Sequence, residues 1–267
     1  MLLASLIAPG LFALASPHAP LAPPALVAPV VQADDENEFE DERELIEDLL
    51  DELGELTRGR GEQDGEAIQL VGRLSTEFAR SGERDRRDIV KALDRCMNLR
   101  RRPLAEDQPD NALFRAVGQA LGGMGPESVR PLEKWIDHNK HEDDLALQRV
   151  LILALGNTRD EDAVDTLIDL LNEYQWVKQG AAAEALGQFT GLENKDRKEV
   201  FEELLKTFGA AEYARQDDPQ SNDARQRLNT IRGPIQTSLQ RLSGASVNGY
   251  ANWQSWWNDN KRRNWDR

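Results

Sequence analysis

The chain has 267 residues, of which 39% are hydrophobic and 30% charged, a size and balance that suit one or two soluble domains. Its formal net charge of −15 is unevenly placed: residues 34–55 hold 13 acidic side chains against Arg43 alone, while the remainder carries 35 acidic and 32 basic groups. A nearly neutral body with an acidic arm lacks the basic footprint that phosphate binding needs, which argues against nucleic acid as a partner.

Residues 1–33 contain no Asp, Glu, Lys or Arg. A short apolar run, Leu2 to Ala15, leads into a stretch with Pro17, Pro20, Pro23, Pro24 and Pro29. With Pro9, these prolines break any membrane-spanning helix. The segment reads as an export signal or disordered leader, although no basic residue precedes the apolar run. Ala13-Leu14-Ala15 and Val31-Gln32-Ala33 are small-residue cleavage sites, and cleavage after Ala33 is preferred because the acidic residues begin there. The expected mature chain starts at residue 34, has no membrane span, and acts in the periplasm or outside the cell. Cys96 is the only cysteine, so no internal disulfide forms, and its neighbours Ile89 and Leu93 mark it as a small buried hydrophobe.

Residues 37–57 read as one amphipathic helix, with Phe39, Ile46, Leu49, Leu50, Leu53 and Leu56 on a stripe among carboxylates. Such a stripe must dock, and capping the first repeat is preferred over pairing with a second copy. Helices follow at about 65–80 and 84–99. Arg100, Arg101 and Arg102 then close the second of these, and their charge makes them an expected seat for the acidic arm.

A phrase then returns: Ala120-Leu121-Gly122, Ala154-Leu155-Gly156 and Ala185-Leu186-Gly187, at spacings of 34 and 31 residues. Each phrase closes an apolar helical stretch. A period in this range means stacked helix pairs. The pairs fall at 110–123 with 126–138, 142–156 with 161–173, and 175–188 with 195–209. The glycines are expected to end each first helix in a left-handed conformation, and Pro126 and Asp160 to start second helices. Ala181, Ala182, Ala183 and Ala185 should let neighbouring helices approach closely.

The best copy, Lys178-Gln179-Gly180-Ala181-Ala182-Ala183-Glu184-Ala185-Leu186-Gly187, and the second helix from Asp162 to Leu171 resemble HEAT-like repeats of the phycobilin-lyase type. The resemblance covers 110–209 well, 65–99 loosely and 222–260 in degenerate form. It implies repeat shape, and no activity is carried over from it. After 209 the rhythm breaks. Residues 215–223 read as a loop, a helix from 222 is expected to kink or restart at Gly233-Pro234, and Leu239, Leu242 and Gly244 echo the repeated phrase. The Trp-rich close is similar to the C-terminal ends of exported bacterial HEAT-repeat proteins.

The expected architecture is therefore an all-α, HEAT-like α-solenoid of about five helix pairs. It divides into a leader (1–33), an acidic helix and linker (34–61) and the solenoid (62–267), closed by a Trp-rich capping helix. Trp253, Trp256 and Trp257 lie at i, i+3 and i+4 on one helix face. They serve as a terminal cap or as an aromatic platform for glycan or peptide. His138 and His141, beside Asp137, Glu142, Asp143 and Asp144, contain metal-ligand types, but they span a turn and read as solvated. Asp217, Asp218, Asn222 and Asp223 lack the glycine and terminal glutamate of a calcium loop. No nucleophile–base pair, phosphate cradle, cofactor motif or metal site emerges.

The expected function is non-enzymatic: a protein-interaction scaffold whose second helices present Arg130, Lys134, Asp165, Asp169, Lys198 and Glu202 to protein partners. Two alternatives stand beside it. One is a carbohydrate- or cell-wall-binding module using the tryptophans. The other is a lyase-like enzyme or small-molecule pocket on the concave face.

Overall fold

The computed structural model describes residue 41 and residues 43–101, 111–136 and 138–266. The leader, Phe39 and the first part of the acidic arm lie outside the described residues, as do Arg102 and Asp137. Among the described residues there are eleven α-helices and no strand.

The first helix, α1 (Glu44–Thr57), buries Ile46, Leu49 and Leu53. These lie against α2 (Asp64–Phe78) and α3 (Glu83–Met97). Each such side chain stabilises by about 1.5–3 kcal/mol when fully buried. The helix starts at residue 44 rather than near 37, because the residues before it are held across the chain. The Asp41 carboxylate accepts from the backbone N–H groups of Arg84 (2.9 Å) and Asp85 (3.1 Å) at the start of α3. Arg43 donates to Glu77 (3.0 Å), Asp85 (3.4 Å) and the Ser81 hydroxyl (2.6 Å). In the described part of the arm it is the basic residue, Arg43, that makes these contacts; the seating of the arm's carboxylates before Asp41 and of Arg102 lies outside the described residues. Arg101 is ion-paired instead with Asp64 of α2.

Five pairs follow: α2 with α3, α4 (Ala112–Gly122) with α5 (Val129–Ile136), α6 (Leu145–Asn157) with α7 (Ala163–Leu170), α8 (Trp176–Leu186) with α9 (Asn194–Asp217), and α10 (Asn222–Ser243) with α11 (Tyr250–Asn260). First helices stack in the order α2, α4, α6, α8, α10, while second helices form a looser parallel row. This is the expected all-α solenoid. Pro126 sits in a short 3-10 turn, Gly125–Ser128, that leads directly into α5. The Asp160 carboxylate accepts from the Asp162 N–H just ahead of α7.

The repeated glycines do stand at the helix ends, Gly122 as the last residue of α4, Gly156 as the last but one of α6 and Gly187 as the C-cap of α8, but none has the expected left-handed conformation, and Gly187 is right-handed at φ −66°. They are notches. A Cβ on Gly122 would meet Ala154 at 2.8 Å, and one on Gly156 would meet Ala185 at 2.6 Å. Each glycine thus receives the alanine of the next copy of the same phrase. The alanines of α8 are all fully buried, as close approach requires.

Beyond residue 209 the chain is more regular than expected. The helix α9 runs on to Asp217, and α10 passes through Pro234 without restarting. Proline leaves the carbonyl four residues earlier without its helical donor. That carbonyl, of Thr230, lies over Gly180 of α8, where a Cβ would come within 3.4 Å of it. The fourth copy of the phrase is also displaced. Gly187 abuts Ser238, at 2.8 Å from a built Cβ to the Ser238 Cβ, so Ser238-Leu239 occupies the place of Ala-Leu. The Ser238 hydroxyl donates to the Ala183 carbonyl at 2.6 Å. Gly244 is a left-handed helix cap, at φ 69°.

Candidate interaction surface

Each second helix buries one face in the stack, so its outward positions are polar. Arg130 on α5, Asp165 and Asp169 on α7, and Glu202 on α9 are exposed and form no ion pair among the described residues. Lys134 and Lys198 are engaged within the chain. Lys134 grips both carboxylate oxygens of Asp94 on α3, each at 2.9 Å, and lies over the Trp135 ring. Lys198 donates to the Arg263 carbonyl at 2.6 Å and lies over Trp265. Lys198 and Glu202 also border an open groove shared with Trp257, Lys261 and Arg262. The six residues therefore share one row of helices without converging on a single pocket.

Neighbouring second helices are laced together at two junctions. From α3 to α5 the link is Asp94, which also accepts from the Trp135 indole N–H at 2.6 Å. From α5 to α7 it is the Thr166 hydroxyl donating to Glu133 at 2.6 Å. Between α7 and α9 there is instead an open slot of about 150 Å³, floored by Val164, Ile168, Leu192 and Val200. Glu161, Asp165, Asp196 and Glu199 rim it.

Trp253 and Trp257 are buried, at 0% and 7% exposure, and Trp256 is half-buried. All three surround Phe201 of α9, with ring centroids 5.1–5.7 Å away, and Trp257 is stacked on it. Trp265 closes the cluster at 5.2 Å. Trp253 thus presents no open face on which a sugar could stack, and Trp257, which borders the α9 groove, is stacked on Phe201. The aromatic signal read as cap or platform is used as packing between α9 and α11, worth about 0.5–1.5 kcal/mol per ring pair beyond area burial.

The histidines are likewise engaged. His141 is buried between Phe114 and Trp135, and its Nε2–H donates to the Met97 carbonyl at 2.9 Å. Burial lowers its pKa below the ordinary imidazole value, outweighing the bond to Met97. Lys140 donates to the carbonyls of Met97 and Leu99, so the turn after α5 caps the C-terminus of α3. His138 accepts from the Lys140 N–H. Burial, then the Arg101 charge, lowers the Lys140 pKa. Asp144 is held by Asn111 and caps α6 through the Leu147 N–H. Asp218 accepts from the backbone N–H groups of Gln220 and Ser221, which makes its loop a helix connection. Among the described residues no group of His, Cys, Asp or Glu is arranged to hold a metal. Cys96 is buried, and burial pushes its thiol up to about 12, so it stays protonated.

A family model of HEAT repeats matches residues 101–187 and, in an overlapping register, 132–216. Over these residues the chain is similar to HEAT repeats. The matched HEAT segment runs from α4 to the last turn of α9, and so contains the notched pairs and the slot. The Trp-rich α11 lies beyond it. No curated protein and no solved structure matches the chain. No helix among the described residues is long and apolar enough to cross a membrane.

Within this matched segment, Glu161, Asp196 and Glu199 join the surface without having been singled out from the sequence. The signal for Glu161 was present: Glu161, Val164, Asp165, Ile168 and Asp169 follow helical spacing, placing an acidic edge beside an apolar one. Asp196 and Glu199 face that edge from a helix some thirty residues later, a juxtaposition only the stacking creates.

Proposed function

We propose that this chain is a non-enzymatic protein-interaction scaffold acting outside the cytoplasm. HEAT repeats generally mediate contacts between proteins. The observation that carries the reading is the second-helix row, which displays Arg130, Asp165, Asp169 and Glu202 from three successive repeats, exposed and without ion pairs among the described residues. Charged groups left free along one row provide orientation and partner choice more than raw affinity. Export is supported by the charge-free, Leu- and Ala-rich residues 1–33 ending at Val31-Gln32-Ala33. The likeness of the repeats to the phycobilin-lyase type supports the shape alone, since fold does not carry chemistry.

The test is capture from native envelope extract with the tagged chain, read by mass spectrometry, beside the double variant Arg130→Glu with Asp169→Lys. A few stoichiometric proteins retained by the parent and lost by the variant are expected. An empty capture, or one the variant leaves unchanged, overturns the scaffold reading. N-terminal sequencing of the fractionated protein checks export: a chain beginning at Asp34 outside the cytoplasm is expected, and an intact leader in the cytoplasm refutes it.

A further inference from the structure

The slot between α7 and α9 has an apolar floor, a size limit and a charge, and together they define an occupant. Leu192 and Val200 are buried at its base, while Val164 and Ile168 are half-buried on its α7 wall. Its volume of about 150 Å³ lies below the roughly 300 Å³ at which clefts for whole small molecules begin. It suits a single branched aliphatic side chain. Around this floor stand Glu161, Asp165, Asp196 and Glu199, none of them ion-paired among the described residues.

Like charges facing across two helices lower stability. The two junctions before it in this row avoid that by bridging, through Asp94 to Lys134 and Thr166 to Glu133. At the α7–α9 junction the cation that could have closed the row, Lys198, is turned to the Arg263 carbonyl. The junction is thus left short of positive charge over an open apolar floor.

We propose that this slot is the docking site for a cationic peptide segment of a partner protein, seated by one aliphatic side chain, with its lysines or arginines meeting the four carboxylates. The inference rests on the scaffold reading and assigns it a site and a partner chemistry. The aliphatic anchor supplies affinity by displacing water from the floor, and the rim sets orientation and on-rate.

The experiment uses the full chain and three fluorescein-labelled helical peptides of equal length: lysine–leucine, lysine–serine and glutamate–leucine. Binding is read by fluorescence anisotropy at physiological salt. The lysine–leucine peptide is expected to bind one to one, about tenfold or more tighter than the lysine–serine peptide, with no binding by the glutamate–leucine peptide. Asp165→Lys with Glu199→Lys should weaken it about tenfold or more, while the charge-matched control Glu47→Lys with Asp51→Lys on α1 changes it less than about twofold. Thermal melts confirm that both variants fold.

Equal binding of the lysine–leucine and lysine–serine peptides, or equal loss from the α1 control, would mean unspecific attraction to an acidic chain and would overturn the proposal. So would a dimer of the chain that the slot variant abolishes, since the slot would then hold a second copy. An envelope capture that survives the slot variant, with no peptide binding, leaves the scaffold standing and removes the slot. Peptide binding with an empty capture does the reverse.

Discussion

The two rows of helices obey different rules. The first row is closed by the smallest side chains, glycine against alanine at Gly122–Ala154 and Gly156–Ala185, so that backbones meet. The second row is held by side-chain lacing, Asp94 to Lys134 and Thr166 to Glu133, and opens where the lacing stops. The first row sets the spacing of the repeats. The second is free to vary its chemistry, and the proposed binding surface lies there. Substitutions that separate packing from charge test this contrast.

The largest effect is expected where the second row is packed like a core. Trp253→Ala, removing a fully buried ring from the Phe201 cluster, should cost about 3–5 kcal/mol in urea unfolding. A cost below about 1 kcal/mol would mean the ring does not cap α9. Next comes the first row. Gly156→Ala places a methyl 2.6 Å from the Ala185 Cβ and should destabilise by about 1–3 kcal/mol, although alanine is the better helix former. Gly72→Ala is the counterpart. It lies on the exposed side of α2 with nothing within 4 Å of the new Cβ, so it should stabilise by about 0.5–1 kcal/mol. If both substitutions act in the same direction, the notch account fails.

A pH series separates the buried polar junction from both rows. His141 has its folded pKa below the unfolded value of about 6.5 because burial disfavours the charged ring. Between those two values the unfolded chain binds more protons, so unfolding free energy falls as pH falls. This stabilisation is fully present above about pH 6.5 and is lost on acidification through the folded pKa. His141→Gln should therefore show a smaller drop in Tm between pH 7.5 and 5.5 than the parent. An identical drop would place the acid sensitivity elsewhere. The smallest effect is expected at Asp169→Lys, exposed on α7, which should move stability by no more than about 0.5 kcal/mol in thermal melts.

Much of the fold was legible in the sequence because the Ala-Leu-Gly phrase records a contact between neighbouring repeats, and repetition made it visible. The glycines do close the helices, but their conformation was misread and their notch missed, since a glycine that caps a helix and a glycine that receives a neighbour look alike in one dimension. The run of α9 to Asp217 was obscured by polar residues that suggest a loop, and the passage of α10 through Pro234 depends on a glycine 54 positions earlier. The surface was half legible. Outward charges on second helices follow from periodicity, whereas the engagement of Lys134 by Asp94 and the meeting of Glu161 with Asp196 arise between helices distant in sequence.

Ser238 has a consequence for how such a chain can change length. Every junction from α4 to α8 joins glycine to alanine, so a duplicated repeat inserted there finds matching surfaces on both sides. The junction of α8 with α10 is keyed differently, because the Ser238 hydroxyl supplies a donor to the Ala183 carbonyl. A copied repeat placed at that junction would bring an alanine there and leave the carbonyl without that donor, at a cost of about 1–3 kcal/mol. Growth by duplication is tolerated in the middle of the stack and penalised at this one joint.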